Sequence, residues 1–267
     1  MRKEGPLLLI GGNEDKQKDR RILTEIARQI GDGHLLLITA ATNLPDELAD
    51  EYRGIFRALG VRHIEPVDVR RREQAYDEAL LKKVGGAAGA FITGGDQLRL
   101  TSQLGGTPLL TALRALHESG GLLAGTSAGA AAMPDAMLIA GASDSSYQLH
   151  DLTMSAGLGF LSRVTVDTHF SQRGRISRLI GAATQNPEIL GLGIDEDTAV
   201  VIRRGGGPLH VLGSGAVYVV DGTDISFSSL AARHPEGIVT VHDVRLHVLG
   251  EGQAFDLDER RPVMRAG

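Results

Sequence analysis

Between residues 6 and 126, short apolar runs alternate with longer stretches in which apolar side chains recur every three to four positions. The first pattern suits strands buried on both faces and the second suits amphipathic helices, so their alternation predicts βαβ units around a parallel sheet. Residues 6–10 read as the first strand. Residues 15–30 follow, with Ile22, Leu23, Ile26 and Ile30 near helical period and basic residues between them. Residues 34–39, 62–67, 88–93 and 121–124 read as further strands. Residues 46–59 behind Pro45, 73–84 and 108–118 read as helices. After about residue 197 the texture changes: residues 199–203, 210–212, 216–220, 225–227 and 237–249 are β-rich and mostly separated by glycines, which predicts a sheet extension or a hairpin layer.

No period of 20 to 50 residues and no low-complexity linker interrupts this order, so residues 1–267 are expected to form a single α/β domain. At 42% hydrophobic the chain can build a large core without staples. Cysteine is absent, which excludes thiol catalysis and Cys-type metal centres. A net charge of −5 argues against nucleic-acid binding. Among 28 basic residues only Lys3, Lys16, Lys18, Lys82 and Lys83 are lysine, a bias that GC-rich coding or planar recognition of carboxylates would each produce. The apolar run 7–10 is too short for a signal peptide or a membrane span, so no membrane association and a cytoplasmic place are expected.

Directly after the fifth strand stands Gly125-Thr126-Ser127-Ala128-Gly129, a G-x-S-x-G sequence at a strand-to-helix junction. Small residues there permit a turn tight enough to lift a serine hydroxyl clear of the sheet. A nucleophilic serine needs a base and a group to orient that base. Of nine histidines, His34, His63, His117, His210, His234, His242 and His247 have no polar cluster around them, and His150 beside Asp151 is a weaker candidate. His169 ends the strand-like residues 164–167 and precedes an arginine-rich stretch, at the kind of strand exit where α/β active sites assemble. Asp195, Glu196 and Asp197 leave another apolar strand. Side chains alternate there, so Glu196 points opposite to both neighbours and not all three can serve.

The order Ser, His, acid differs from the α/β-hydrolase order. These residues resemble the cyanophycinase family, serine exopeptidases related to dipeptidase E. The resemblance rests on Gly11-Gly12-Asn13-Glu14-Asp15-Lys16, Thr93-Gly94-Gly95-Asp96-Gln97, residues 125–129, residues 167–178 and residues 191–198, in that order on strand exits. It implies a mostly parallel sheet flanked by helices, like that of class I glutamine amidotransferases, with the β-rich C-terminal part as an extension. It also implies a Ser127, His169, Glu196 triad, a homodimer, and a substrate with a polyaspartate backbone carrying arginine, released as β-aspartyl-arginine. Where the best-known members have Asp-Gln-His-Phe, this chain has Asp167-Thr168-His169-Phe170, a difference that bears on polymer specificity more than on the triad.

Such a substrate presents guanidinium and carboxylate together. Asp96 and Asp167 are candidates for the first, Arg173, Arg175 and Arg178 for the second, and Gln97 for the backbone. Arg175 and Arg178 are three apart on the predicted helix after His169, hence on one face, although the same arginines would equally form a solvated face. The amides of Ala128 and of Gly94 or Gly95 are expected to hold the oxyanion, though Gly94-Gly95 alone equally marks a tight turn. Asn13 or Asp15 is read first as a helix cap and second as support near the pocket. No nucleotide-binding glycine motif and no metal-ligand spacing is present, so neither cofactor nor metal is expected. The alternatives are a peptidase of small isoaspartyl or N-terminal aspartyl peptides, and a non-catalytic binding protein, which would be expected to lack a triad member.

Overall fold

Alternation along the first strand sets the layering. In β1 (Leu7–Ile10), Leu7 and Leu9 enter one core while Leu8 and Ile10 enter another, because successive strand side chains face opposite ways. The computed structural model describes residues 4–140, 152–203, 205, 207–231 and 238–263; His150, Asp151 and His234 lie outside them. Parallel to β1 run β2 (His34–Ile38), β3 (His63–Val67), β4 (Gly89–Ile92) and β5 (Leu122–Thr126), in the order β1-β5-β4-β2-β3. Helices α1 (Arg21–Ile30) and α2 (Pro45–Ala58) cover the Leu8 face with Ile22, Leu23, Ile26, Tyr52 and Phe56. Helices α3 (Glu78–Gly85), α4 (Gln97–Leu104) and α5 (Pro108–Glu118) cover the Leu7 face with Val84, Leu100, Leu104, Leu109 and Leu113.

Helix α6 (Ala128–Ala131) leads to an antiparallel pair, β6 (Ala136–Ala140) and β7 (Thr153–Ala156). Then come β8 (Val164–Thr168), α7 (Ile176–Gln185), β9 (Leu190–Ile194), β10 (Thr198–Ile202), β11 (Leu209–Gly213) and β12 (Val217–Asp221). The short pair β13 (Phe227–Ser228) and β14 (Val241–His242) precedes β15 (Arg245–Leu249), β16 (Ala254–Asp256) and β17 (Arg261–Pro262). The β-rich C-terminal part divides between two sheets. Strands β10, β11, β16 and β17 extend the parallel core, each antiparallel to its neighbour, making a nine-stranded sheet. Strands β12 and β15 join β9 and β8 in a separate sheet of order β15-β12-β9-β8, in which β8 and β9 are parallel. The fold is therefore α/β with a large central sheet flanked by helices, as the periodicity predicts. His169 and Glu196, however, leave the second sheet and Ser127 the first.

The sequence 190–194 explains how the second sheet is held. Leu190, Leu192 and Ile194 point into the core shared with β1, alongside Val164, Val166, Val217 and Val219. Gly191 and Gly193 face the other way, where Leu179 of α7 and the ring of Phe170 lie directly on the backbone; a Cβ on Gly191 would stand 2.8 Å from Leu179. The alternation thus packs one face side chain to side chain and the other helix to backbone.

Three predicted elements differ. The first helix begins at Arg21, because the Asp15 carboxylate captures the amides of Gln17, Lys18 and Arg20 and holds residues 15–20 in a loop. Neither Asn13 nor Asp15 caps that helix. Residues 73–84 break at Asp77, whose side chain caps α3 after a 3₁₀ turn at Arg72–Tyr76. Helix α4 was absent from the periodicity, and Asp96 caps it through Leu98 and Arg99. Among the described residues no helix is long and apolar enough to cross a membrane.

Candidate active site

Register places the candidate residues on a common edge. Ile10 pairs with Thr126 across β1 and β5, so the loop 11–14 and Ser127 emerge side by side at the carboxyl ends of these strands. Thr168 pairs with Ile194 across β8 and β9, so His169 and Glu196 emerge together in the same way from the second sheet. Ser127 turns sharply, with φ 53° and ψ −116°, outside the regions that L-residues favour. Gly125 and Gly129 permit the turn: a Cβ on Gly125 would lie 2.7 Å from the Gly129 backbone. A strained elbow of this kind holds a hydroxyl at one place above the sheet.

The loop after β1 stitches the two sheets together. Gly11 accepts the amide of His169 at 2.8 Å and donates its own to Thr198 at 2.9 Å, while the Gly12 carbonyl accepts the amide of Asp197 at 3.0 Å. Gly12, at φ 97°, lies flat against the imidazole, and a Cβ there would overlap the ring. His169 itself sits at φ 49°, which turns its side chain back toward Ser127.

Ser127 Oγ lies 2.8 Å from His169 Nε2, and His169 Nδ1 lies 2.7 Å from Glu196 Oε1. An ionised carboxylate only accepts, so Nδ1 carries the proton and Nε2 is left to accept from the serine. The hydrogen bond from His169, and then that from Asn13, holds the Glu196 carboxyl below the usual carboxylate range, with the charge of Arg173 adding to the effect. Asn13 Nδ2 donates to Glu196 Oε2 at 2.9 Å, and Gln172 Oε1 accepts the Glu196 amide at 3.2 Å. The flanking carboxylates are taken up elsewhere. Asp195 is buried on the amides of Ser171 and Ala216, and Asp197 accepts from the Asp15 amide and the Ser214 hydroxyl.

Gly94 stands beside the elbow, where a Cβ on it would lie 3.4 Å from Ser127 Cβ. Ala128 follows the serine at the start of α6. Gly95 instead packs on the backbone of Ala41, so of the two glycines Gly94 is the one turned to the serine. Among the described residues no cluster of His, Asp and Glu is suited to hold a metal ion.

The residues expected to touch substrate separate into two groups. Arg173 is exposed on the 3₁₀ turn Ser171–Arg173 beside the triad. Asp167 and Arg178, by contrast, are buried and spend themselves on each other: Arg178 Nε reaches Asp167 Oδ2 at 2.6 Å and Nη2 reaches Oδ1 at 2.7 Å. Arg175 precedes α7, whose first residue is Ile176, and donates to Asp167 Oδ1 and to the Thr168 carbonyl, both at 2.8 Å. Burial lowers the Arg175 pKa, with Asp167 opposing the shift. The expectation that Asp167 and Arg178 reach substrate directly is corrected by this burial. Asp96 is a helix cap, and Gln97 Nε2 donates to the Leu138 carbonyl at 3.1 Å.

Asn13, read from the sequence first as a cap and second as support near the pocket, holds Glu196, while Glu14, given no role of its own in the sequence reading, holds Thr126. The available signal was their position: two glycines and two polar residues leaving the first strand beside the strand that carries the serine.

Residues 7–209 match peptidase family S51. The chain is 38% identical over 257 residues to a cyanophycinase of Synechococcus elongatus, covering 95% of this chain and 80% of that one. It is 39% identical over 260 residues to a cyanophycinase of Trichormus variabilis, covering 95% and 86%. In structure it resembles a peptidase from an acI-B1 Actinobacterium, with a TM-score of 0.68 at 24% identity over 96% of this chain and 98% of that one.

Proposed function

The chain belongs to peptidase family S51 and is a serine-type peptidase, and on that basis we propose that it is an exopeptidase working through Ser127, His169 and Glu196. One observation carries this reading: the unbroken chain of contacts from Ser127 Oγ through the imidazole to Glu196, at 2.8 and 2.7 Å. Ser127 attacks the scissile carbonyl while His169 Nε2 takes its proton. The developing oxyanion is held by the amides of Ala128 and Gly94. His169 then gives its proton to the leaving amine, and a water activated by the same nitrogen releases the acyl group from Ser127. Glu196 keeps the imidazole in the productive tautomer and stabilises the imidazolium.

The substrate is an arginine-aspartate polymer, cleaved in its aspartate backbone to β-aspartyl-arginine. The named relatives support this, and so does the charge carried on the chain next to the base. Two arginines face the single carboxylate of Asp167, leaving a surplus positive charge, and Arg173 adds another at the surface. Such a site suits the one free carboxylate that each arginine-bearing unit presents. The enzyme is expected to act as a homodimer, which sedimentation velocity would check.

A second reading, hydrolysis of small isoaspartyl or N-terminal aspartyl peptides, is favoured by Thr168, a short side chain that is buried next to the base. Clearing of a suspension of the insoluble polymer, followed by mass spectrometry, separates the two. Wild type is expected to clear it with release of β-aspartyl-arginine, and Ser127→Ala to lose about a thousandfold or more. Hydrolysis of isoaspartyl dipeptides without clearing would select the second reading. Clearing by Ser127→Ala at the wild-type rate would remove the triad.

A further inference from the structure

Glu14 is a buried carboxylate with no place in the chemistry above, only 3% exposed in the loop that follows β1. Burying a carboxylate is costly unless its oxygens are hydrogen-bonded, so its partners explain its presence. Oε1 accepts the hydroxyl of Tyr52 on α2. Oε2 accepts the hydroxyl of Thr126 at 2.6 Å. Thr126 is the last residue of β5, buried, and immediately precedes the nucleophile.

That position matters because the chain changes course there. Thr126 is still extended strand, whereas Ser127 is at φ 53°. Ser127 is restrained on its own backbone because its N–H donates a hydrogen bond to the Ile10 carbonyl at 3.0 Å, and the side chain ahead of it is anchored to Glu14. Two restraints, one main-chain and one side-chain, thus fix the elbow to the end of β1 and the loop that follows it. The same loop meets the rest of the triad: Gly11 accepts the His169 amide, Gly12 abuts the imidazole, and Asn13 donates to Glu196.

We propose that Glu14 is a positioning residue for Ser127, acting through the Thr126 hydroxyl to set the height and direction of the elbow against a base carried by the other sheet. This inference rests on the triad reading given above. Glu14 touches no reacting atom. Its effect is on attack geometry, for which displacements of an ångström are costly. Tyr52 holds the opposite oxygen of the same carboxylate and therefore serves its burial more than its aim.

The test uses the full chain and the rate at which a fluorophosphonate labels Ser127, a readout that requires no substrate, together with the thermal midpoint. Thr126→Val replaces the hydroxyl by a methyl group, while Thr126→Ser and Thr126→Ala differ from each other only in the hydroxyl. Labelling is expected to slow about tenfold or more in Thr126→Val and Thr126→Ala and to stay within about threefold of wild type in Thr126→Ser. Should Thr126→Val not fold, the Ser and Ala pair gives the same comparison. Tyr52→Phe is expected to lower the midpoint while labelling falls less than in Thr126→Val. Wild-type labelling in Thr126→Val or Thr126→Ala overturns the proposal, as does a loss in Tyr52→Phe equal to theirs and in step with the midpoint. Ser127→Ala separates the two levels. If it is still labelled at the wild-type rate, the triad reading itself fails; if it is silent while Thr126→Val labels normally, only the role of Glu14 falls.

Discussion

Asn13 and Glu196 are 183 residues apart in the chain and joined by a 2.9 Å hydrogen bond. The amide holds the oxygen of Glu196 that His169 does not use, so one carboxylate is gripped from both sides and cannot rotate away from the imidazole. Asn13→Ala is expected to lower kcat/KM about tenfold, the weight of one hydrogen bond to a charged group. The Glu196 carboxyl should also move up toward its ordinary range, since one of its two hydrogen-bond donors is lost. Because its folded value is depressed, Glu196 adds stability above the ordinary carboxylate range and loses it as pH falls through the folded value. A carboxyl-carbon NMR titration of wild type and variant measures the shift; an unchanged midpoint would show that Asn13 does not hold the acid.

Gly12 lies against the imidazole with no room for a side chain. Gly12→Ala must adopt φ near 97° and push the ring, so kcat is expected to fall about a hundredfold or more. Circular dichroism shows whether the variant is folded. A folded variant of normal activity would mean that the ring can move without cost.

The bidentate grip of Arg178 on Asp167 predicts an asymmetry between two arginines. Arg178→Ala leaves a buried carboxylate held only at Oδ1, by Arg175 and the Thr168 amide, and is expected to cost about 3–5 kcal/mol in urea unfolding. Arg175→Ala should cost less, since Arg178 still meets both oxygens. Equal losses would contradict this division of labour.

Asp15 accepts three backbone amides, and these hold its carboxyl down to about 2. The folded value is lower than that of an ordinary aspartate, so the contribution is present above about pH 4 and is lost as pH falls toward 2. Asp15→Asn is expected to flatten the acid dependence of stability in that window. An identical dependence in the variant, followed by thermal unfolding from pH 5 to 2, would count against it.

Much of this was legible in the chain. The parallel strands followed from apolar runs such as residues 7–10 and 34–38, and α5 from the period of residues 108–118, because burial on both faces and burial on one stripe leave different spacings. The elbow at Ser127 was legible for a related reason: although Gly129 itself is demanded by the distant backbone of Ile92 at the end of β4, Gly125 is demanded by the backbone of Gly129, four residues on. The same holds where Asp15, Asp77 and Asp96 bond amides two to five residues on, and these local bonds moved helix boundaries that periodicity alone had set elsewhere.

What the sequence determined by itself was the set of reactive residue types and the strand exits that carry them. Only the tertiary structure decided that His169 and Glu196 come from a second sheet, that Asn13 bonds Glu196 and Glu14 bonds Thr126, and that Asp167 is turned inward to Arg175 and Arg178. The physical reason is range. A strand or a turn is selected by contacts over a few residues, whereas an ion pair or a triad depends on which sheet a strand joins. That choice is made by the packing of Leu190, Leu192 and Ile194 into a core whose other members are scattered along the chain.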